Sequence, residues 1–296
     1  MRRALILAAV LVLAGTASAQ QVADPDVDLS VATPAYRAES GPRVVIDGAH
    51  HNFHTVDGRY APFAQLLRND GFRVSGSDAA FTDESLADVD VLVIANALAT
   101  EDVEEWVLPN PSAFTAEEIA AVRRFVERGG ALLLIADHMP MAGAATDLGK
   151  AFGVAFDNGF AVDGDTEPDI FTRENGGLAE DPLTAGIPQL RSFTGSAFTA
   201  PANARALMRL DARYDVLMPE VAWQFSDATP KVSGAGRLQG AAMDIGRGRV
   251  AVFGEAAMFT AQVTGPQRVP TGLRAPGAEH NKQFVLNVVR WLGGAR

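Results

Sequence analysis

The sequence predicts an α/β fold, a largely parallel sheet with helices on both faces and an antiparallel hairpin added at one side. Three observations carry this reading. Short, almost continuously apolar runs recur at Val44-Val45-Ile46, Val89-Asp-Val-Leu-Val-Ile-Ala95 and Ala131-Leu-Leu-Leu-Ile-Ala136, as strands covered on both faces should read. Helical patterns alternate with them. Near the end of the chain, Leu238 to Ile245 and Arg249-Val-Ala-Val-Phe253 flank Gly246-Arg-Gly248, the pattern of a tight hairpin.

The first nineteen residues are set aside as a secretory signal. Arg2 and Arg3 form a basic start, Ala4 to Leu13 an apolar run, and Ala17-Ser18-Ala19 a small-x-small cleavage pattern before Gln20. That run is short of the roughly 20 residues a membrane-spanning helix needs. No later segment is long and apolar enough to span a bilayer. The protein is therefore expected to be periplasmic or secreted after cleavage, an uncleaved anchor being the alternative. Residues 20–41, with Asp24, Pro25, Asp26, Asp28 and Pro34 and little periodicity, read as a flexible linker. One α/β domain is expected over 42–296.

Within that domain the elements follow in order. Val44 to Ile46 is the first strand, and Tyr60 to Asn69 a helix with Pro62 in its first turn and Gly71 just beyond its end. Phe72-Arg-Val74 and Val89 to Ala95 are the next strands. Thr115-Ala-Glu-Glu118 is a capping-box pattern that opens a helix running to about Arg128, with Ile119, Val122, Phe125 and Val126 on one face. Gly129-Gly130 stops it, and Ala131 to Ala136 is the fourth strand. A short helix is expected over Ala144 to Phe152. From 158 to 204 the pattern loosens into Gly, Asp, Thr and Pro, read as an insertion or lid at the sheet edge. Ala206 to Leu210 and the hairpin complete the strands. The last helix spans Asn281 to Leu292, with Phe284, Val285, Val288 and Val289 inward and Trp291 as core.

Composition excludes several functions. The chain has no cysteine, hence no disulfide, thiolate ligand, cysteine nucleophile or lipid-modified cysteine at the cleavage site. A domain of this size buries enough surface to fold without disulfides. The formal charge is -11, and removal of Arg2 and Arg3 takes it to -13. With no basic stripe, such a chain is a poor partner for nucleic acid.

The polar residues just past the strand ends form the candidate site. Asp47, His50, His51, Asn52 and His54 follow the first strand, so three of the five histidines fall within five positions. Asn96 follows the third strand and Asp137-His138 the fourth. Glu255 follows the last strand, and His280-Asn281 opens the final helix. In a doubly wound sheet such ends lie close together. Two chemistries fit. In one, His50, His54 and His280 with nearby carboxylates hold a divalent metal (zinc, manganese or iron) that activates water. In the other, His138 is a general base beside Asp137 or Glu255, and Asp47, His51, Asn52, Asn96 and Asn281 bind the ligand. His50-x-x-x-His54 is not in itself a metal motif, because Gly48 and Asn52 favour a loop. Structural roles fit the same residues: Asp47 and Asp137 as turn caps, Glu255 capping the turn at Ala256-Ala257-Met258, and His280-Asn281 as a helix N-terminus. Met139 and Met141 read as pocket wall.

Four segments resemble secreted members of the class I glutamine amidotransferase-like superfamily. They are Ile46-Asp-Gly-Ala-His-His-Asn-Phe-His54, Gly129-Gly-Ala-Leu-Leu-Leu-Ile-Ala-Asp137, Asp181-Pro-Leu-Thr-Ala-Gly-Ile187 and Asn281-Lys-Gln-Phe-Val-Leu-Asn-Val-Val-Arg-Trp-Leu292. The similarity spans about 42 to 293 and is strongest to trehalose-utilisation-type and GIFT-type domains. It implies a flavodoxin-like three-layer sandwich with a site at the strand ends. It does not carry over glutaminase chemistry, because the cysteine of true amidotransferases is missing. The expected function is an exported, hydrolase-like enzyme acting on a small polar or carbohydrate-like substrate, metal-assisted or not. The alternative is a non-catalytic periplasmic domain that binds a ligand or a protein, as many members of the superfamily do.

Overall fold

The computed structural model describes residues 21–101, 106–164 and 169–295; the expected signal segment 1–19 lies outside them. The chain opens with β1 (Val22–Ala23) and β2 (Arg43–Asp47). Then come α1 (Ala61–Asn69), β3 (Arg73–Ser77), β4 (Val91–Ala95), α2 (Ala116–Glu127) and β5 (Ala131–Ile135). Two short helices follow, α3 (Met141–Ala144) and α4 (Thr146–Ala151), in place of the single one expected over 144–152. They meet at Ala145, which closes one and opens the other without a side-chain cap.

The expected loose insertion is instead a set of short strands. After β6 (Ala155–Asp157), which precedes it, these are β7 (Phe160–Asp163), β8 (Ile170–Thr172), β9 (Gln189–Arg191) and β10 (Ala197–Thr199). After β11 (Arg205–Arg209) come β12 (Tyr214–Leu217) and β13 (Lys231–Ser233). The hairpin is β14 (Leu238–Ile245) and β15 (Gly248–Phe253), followed by β16 (Ala261–Thr264), β17 (Val269–Gly272) and α5 (Asn281–Leu292).

The central sheet has nine strands in the order β3-β2-β4-β5-β15-β14-β10-β6, with β11 also on β14. The first five are parallel, and β14, β10, β6 and β11 are antiparallel to their neighbours. Alternate residues of β4 and β5 serve opposite faces. Val91, Val93, Leu133 and Ile135 pack with Phe63 and Leu67 of α1 and Phe284 and Val288 of α5. Leu92, Ile94, Leu132 and Leu134 pack with Val122 and Phe125 of α2 and Leu148 of α4. Both sides of each strand are therefore dry, and this is why the runs are apolar without alternation. Each such side chain contributes roughly 1.5–3 kcal/mol by burial. The hairpin turn packs against the end of α2. A Cβ on Gly246, at φ 59°, would stand 2.9 Å from Glu127 Cα, so this turn admits little but glycine.

Residues 21–41 are not the free linker their composition suggested. β1 pairs with β16, and Val27, Leu29 and Val31 pack on the core beside α1 and α5. Asn69 donates to Leu29 O at 2.8 Å and Arg290 to Thr33 O at 2.9 Å. Asp24, only 2% exposed, pairs with Arg274. Three spaced aliphatics and an acid with a distant arginine were enough to pin the segment, and neither signal is periodic. Among the described residues no helix is long and apolar enough to cross a membrane.

Candidate functional site

The carboxyl ends of β2, β4, β5 and β15 open into one cavity of about 250 Å³. Its polar lining includes His54, Arg59, Asn96, Asp137, His138, Glu255 and Gln262. Phe53, Trp106, Phe193 and Trp223 supply aromatic walls. A crevice beyond the strand ends is where open α/β sheets place ligands.

Asn96 organises the floor. It leaves β4 at φ 53°, a left-handed conformation that Asn tolerates better than most residues. Its Oδ1 accepts the Asp137 backbone N–H at 2.9 Å, and its Nδ2 donates to His54 Nδ1 at 3.2 Å. The first bond orients the amide, and the second fixes the tautomer of His54. With Nδ1 accepting, the His54 proton sits on Nε2, 3.3 Å from the Gln262 amide. An Nε2–H needs an acceptor, so Gln262 must present Oε1 to it. His54 is 3% exposed. Burial, and secondarily the Arg59 charge, press its pKa down to about 3, so it is neutral in ordinary buffers.

Arg59 enters from the loop before α1, its backbone carbonyl held by Thr260 Oγ1 at 2.8 Å. The guanidinium lies 4.6 Å from the Phe53 ring centroid. It has no hydrogen bond or ion pair among the described residues. Burial lowers its pKa, partly offset by the Asp137 charge.

Just past β5, the Asp137 carboxylate accepts the His138 backbone N–H at 2.8 Å. His138 Nδ1 donates to Met139 O at 2.7 Å, leaving Nε2 as the lone pair. Its ring stacks on Phe160 at 4.6 Å and 11°, with Trp223 edge-on at 4.7 Å. Glu255 is 1% exposed, and its carboxylate caps the following turn through the N–H groups of Ala257 (2.6 Å) and Met258 (2.7 Å). Burial pushes its pKa well above the usual carboxylate range. Asp137 adds to the push, and the two N–H donors oppose it. Glycine at position 254 makes the approach possible, because a Cβ there would strike the Ser196 carbonyl.

The structure thus brings five of the sequence-derived site residues together: His54, Asn96, Asp137, His138 and Glu255. The other six stand apart from the cavity lining, several with evident structural work. His50 is clamped between Asp47 (2.9 Å from Nδ1) and Glu118 (2.9 Å from Nε2), against the Phe81 and Phe114 rings. Both ring nitrogens are occupied, so it has no lone pair for a metal. Asp47 serves that clamp and also accepts the Ala49 N–H. Asn52 accepts the His50 N–H. His51 faces outward, 3.4 Å from Glu101. Asn281 ties α5 to β9 through both backbone groups of Arg191. His280 is half-buried at the start of α5. The expected metal trio of His50, His54 and His280 therefore does not converge, and among the described residues no group of three His, Asp or Glu side chains has the arrangement to hold a metal.

Sequence reasoning passed over Arg59 and Gln262. Arg59 lies in the same strand-end loop as the histidines and was legible by the same rule, had cations been counted with them. Gln262 sits on β16, outside the main sheet, and no local pattern marks it. Trp106 and Trp223 are far apart in the chain, and folding places both on this cavity.

No family model matches the chain, and no curated protein does so significantly. Solved structures do. The mmIFT52 N-terminal domain aligns over 84% of this chain and 97% of its own, at TM-score 0.61 and 14% identity. The cytoplasmic protein STM1381 from Salmonella typhimurium LT2 covers 84% of this chain and 99% of its own, at 0.53 and 14%. A ThuA-like protein from Bacteroides uniformis matches at 0.46 and 13% over 91% of this chain and 95% of its own, too distant to argue from. At these identities the first two establish shared fold alone.

Proposed function

We propose that this cavity is the working site of an exported, hydrolase-like enzyme acting on a small polar or carbohydrate-like substrate. The observation that carries the reading is His138: a tautomer-fixed imidazole whose Nε2 has no partner among the described residues, beside Asp137, on the wall of an aromatic-lined cavity. In this reading Nε2 takes a proton from a water molecule as the water oxygen attacks the substrate, and the imidazolium gives that proton to the leaving oxygen as its bond to the substrate breaks. The resulting imidazolium lies against the face of the Phe160 ring, whose π-electrons favour a cation. Trp106, Trp223, Phe53 and Phe193 pack on the apolar faces of the substrate, and Asp137 accepts its hydroxyl hydrogens. The strand order β3-β2-β4-β5-β15 supports a flavodoxin-like three-layer sandwich of the amidotransferase-like kind. Without a cysteine nucleophile, the attack falls to water and not to a thiolate.

One observation favours a second reading, a non-catalytic binding domain. Glu255 and His54 already spend their polar atoms on their own chain, which suits a rigid receptor. A panel of p-nitrophenyl glycosides and esters decides between them. Wild-type turnover that falls about 100-fold or more in His138→Gln, with ligand binding retained, is the outcome expected for the enzyme. Binding without turnover on the whole panel hands the site to the receptor reading. Export is tested by N-terminal sequencing of protein recovered from the periplasm of a bacterial host; a start at Gln20 or Gln21 is expected, and an intact Met1 refutes it.

A further inference from the structure

We propose that the ligand of this cavity carries a single carboxylate, held by Arg59. The proposal rests on the cavity being the working site and narrows what it accepts. Three donors there lack acceptors among the described residues. The Arg59 guanidinium has no hydrogen-bond or ion-pair partner among the described residues. Trp106 Nε1–H is buried without a partner among them. Gln262 is the third: once Oε1 faces His54, its NH2 group takes the place of the atom that the structure leaves without a bond. Buried donors such as the Trp106 indole and the Gln262 amide are rarely left unmatched, and the half-buried Arg59 lines the same cavity.

The charges decide which anion fits. Arg59 is the only lysine or arginine among the described residues lining the cavity, and Asp137 lies near enough to perturb it. His54 is held neutral and adds no second cation. One guanidinium, part of whose charge already faces Asp137, suits a ligand of one negative charge far better than a phosphate dianion. Its planar fork also matches the two oxygens of a carboxylate. Asp137 remains as acceptor for ligand hydroxyls. The geometry therefore points to a small hydroxylated carboxylate, such as a hydroxy acid or an acidic sugar. The cavity's 250 Å³ suits a small ligand of that kind.

The test uses the full mature chain, 15N-labelled, and its three indole N–H resonances. Trp106 and Trp223 report the cavity, and Trp291, on α5, serves as the internal control. Glucuronate is compared with glucose, lactate with propane-1,2-diol, and inorganic phosphate is added separately. At least one acid should move the Trp106 and Trp223 signals and bind roughly tenfold or more tightly than its neutral partner; Trp291 should stay in place. Arg59→Met should reduce that preference to about twofold or less, and Arg59→Gln serves if the first variant folds poorly. An acid preference that survives both variants, neutral partners that bind as well as the acids, or tighter binding of phosphate each overturns the carboxylate assignment. If neutral compounds move the two signals and acids gain nothing, the cavity is a site but not for carboxylates. If no member of the set moves them, the carboxylate assignment and the cavity reading fall together.

Discussion

His50 and His54 lie four residues apart in one loop, both nearly inaccessible to water, and their surroundings drive them in opposite directions. Burial alone would discharge either ring. At His50 the Asp47 and Glu118 carboxylates outweigh burial and raise its pKa. At His54 burial and the Arg59 charge act together and leave it neutral, with a pKa of about 3. The first is a rivet, gripped by carboxylates on both ring nitrogens, that ties the β2 loop to the start of α2. The second is a neutral relay in the cavity wall, passing its hydrogen bonds between Asn96 and Gln262. The lesson is that clustered histidines divide by the partners the tertiary fold delivers, not by their spacing.

The largest expected effect removes the rivet. His50→Ala leaves Asp47, with 0% side-chain exposure, and Glu118, at 11%, facing each other across a void. A loss of about 3–5 kcal/mol is expected, read from urea unfolding at pH 6. A loss under about 1 kcal/mol would mean the clamp is not a charged pair.

The pH dependence sharpens the contrast. His54 has a folded pKa below its unfolded 6.5, so the unfolded chain takes up its proton first as pH falls. Its share of stability is intact above 6.5 and declines by about 3 kcal/mol between pH 6.5 and pH 4. His50 has the opposite sign: its folded pKa is raised, so its stabilisation is complete below 6.5 and fades as pH rises through the folded value. Stability curves of His54→Gln and His50→Gln, each subtracted from wild type, should therefore slope in opposite senses. Parallel curves would erase the distinction between the two sites.

The smallest effect concerns the residue that holds His54 in its tautomer. Asn96→Ala loses two buried hydrogen bonds and keeps the left-handed backbone, at a cost of about 2–3 kcal/mol. Asn96→Gly loses the same bonds without the backbone strain and should be milder by about 1 kcal/mol. Equal losses would show that the conformation at Asn96 carries no strain.

Much of the architecture was legible because it is written locally. The uninterrupted apolar runs of β4 and β5 announced strands dry on both faces, and Thr115 with Glu118 announced the start of α2; the capping box is present as expected. Glu118 also shows the limit of local signals, since the same carboxylate that closes the box reaches His50 across 68 positions of chain. The strands between 158 and 204 were hidden because three-residue segments carry too little periodicity to register. The packed 21–41 segment was hidden because its anchors, such as Arg274 for Asp24, lie far away in sequence.

The sequence by itself determined that a polar edge would form where β2, β4, β5 and β15 end, because apolar runs must be buried and their polar flanks must then emerge together. It also settled that no thiol chemistry occurs there. Only the tertiary structure decided which of those polar groups meet. Side chains that sequence treats alike were sorted by what lies across from them: carboxylates claimed His50, amides claimed His54, and a neighbouring carbonyl left one nitrogen of His138 free. Those partners arrive from distant elements, and hydrogen-bond and charge energies depend on separations that no local pattern encodes.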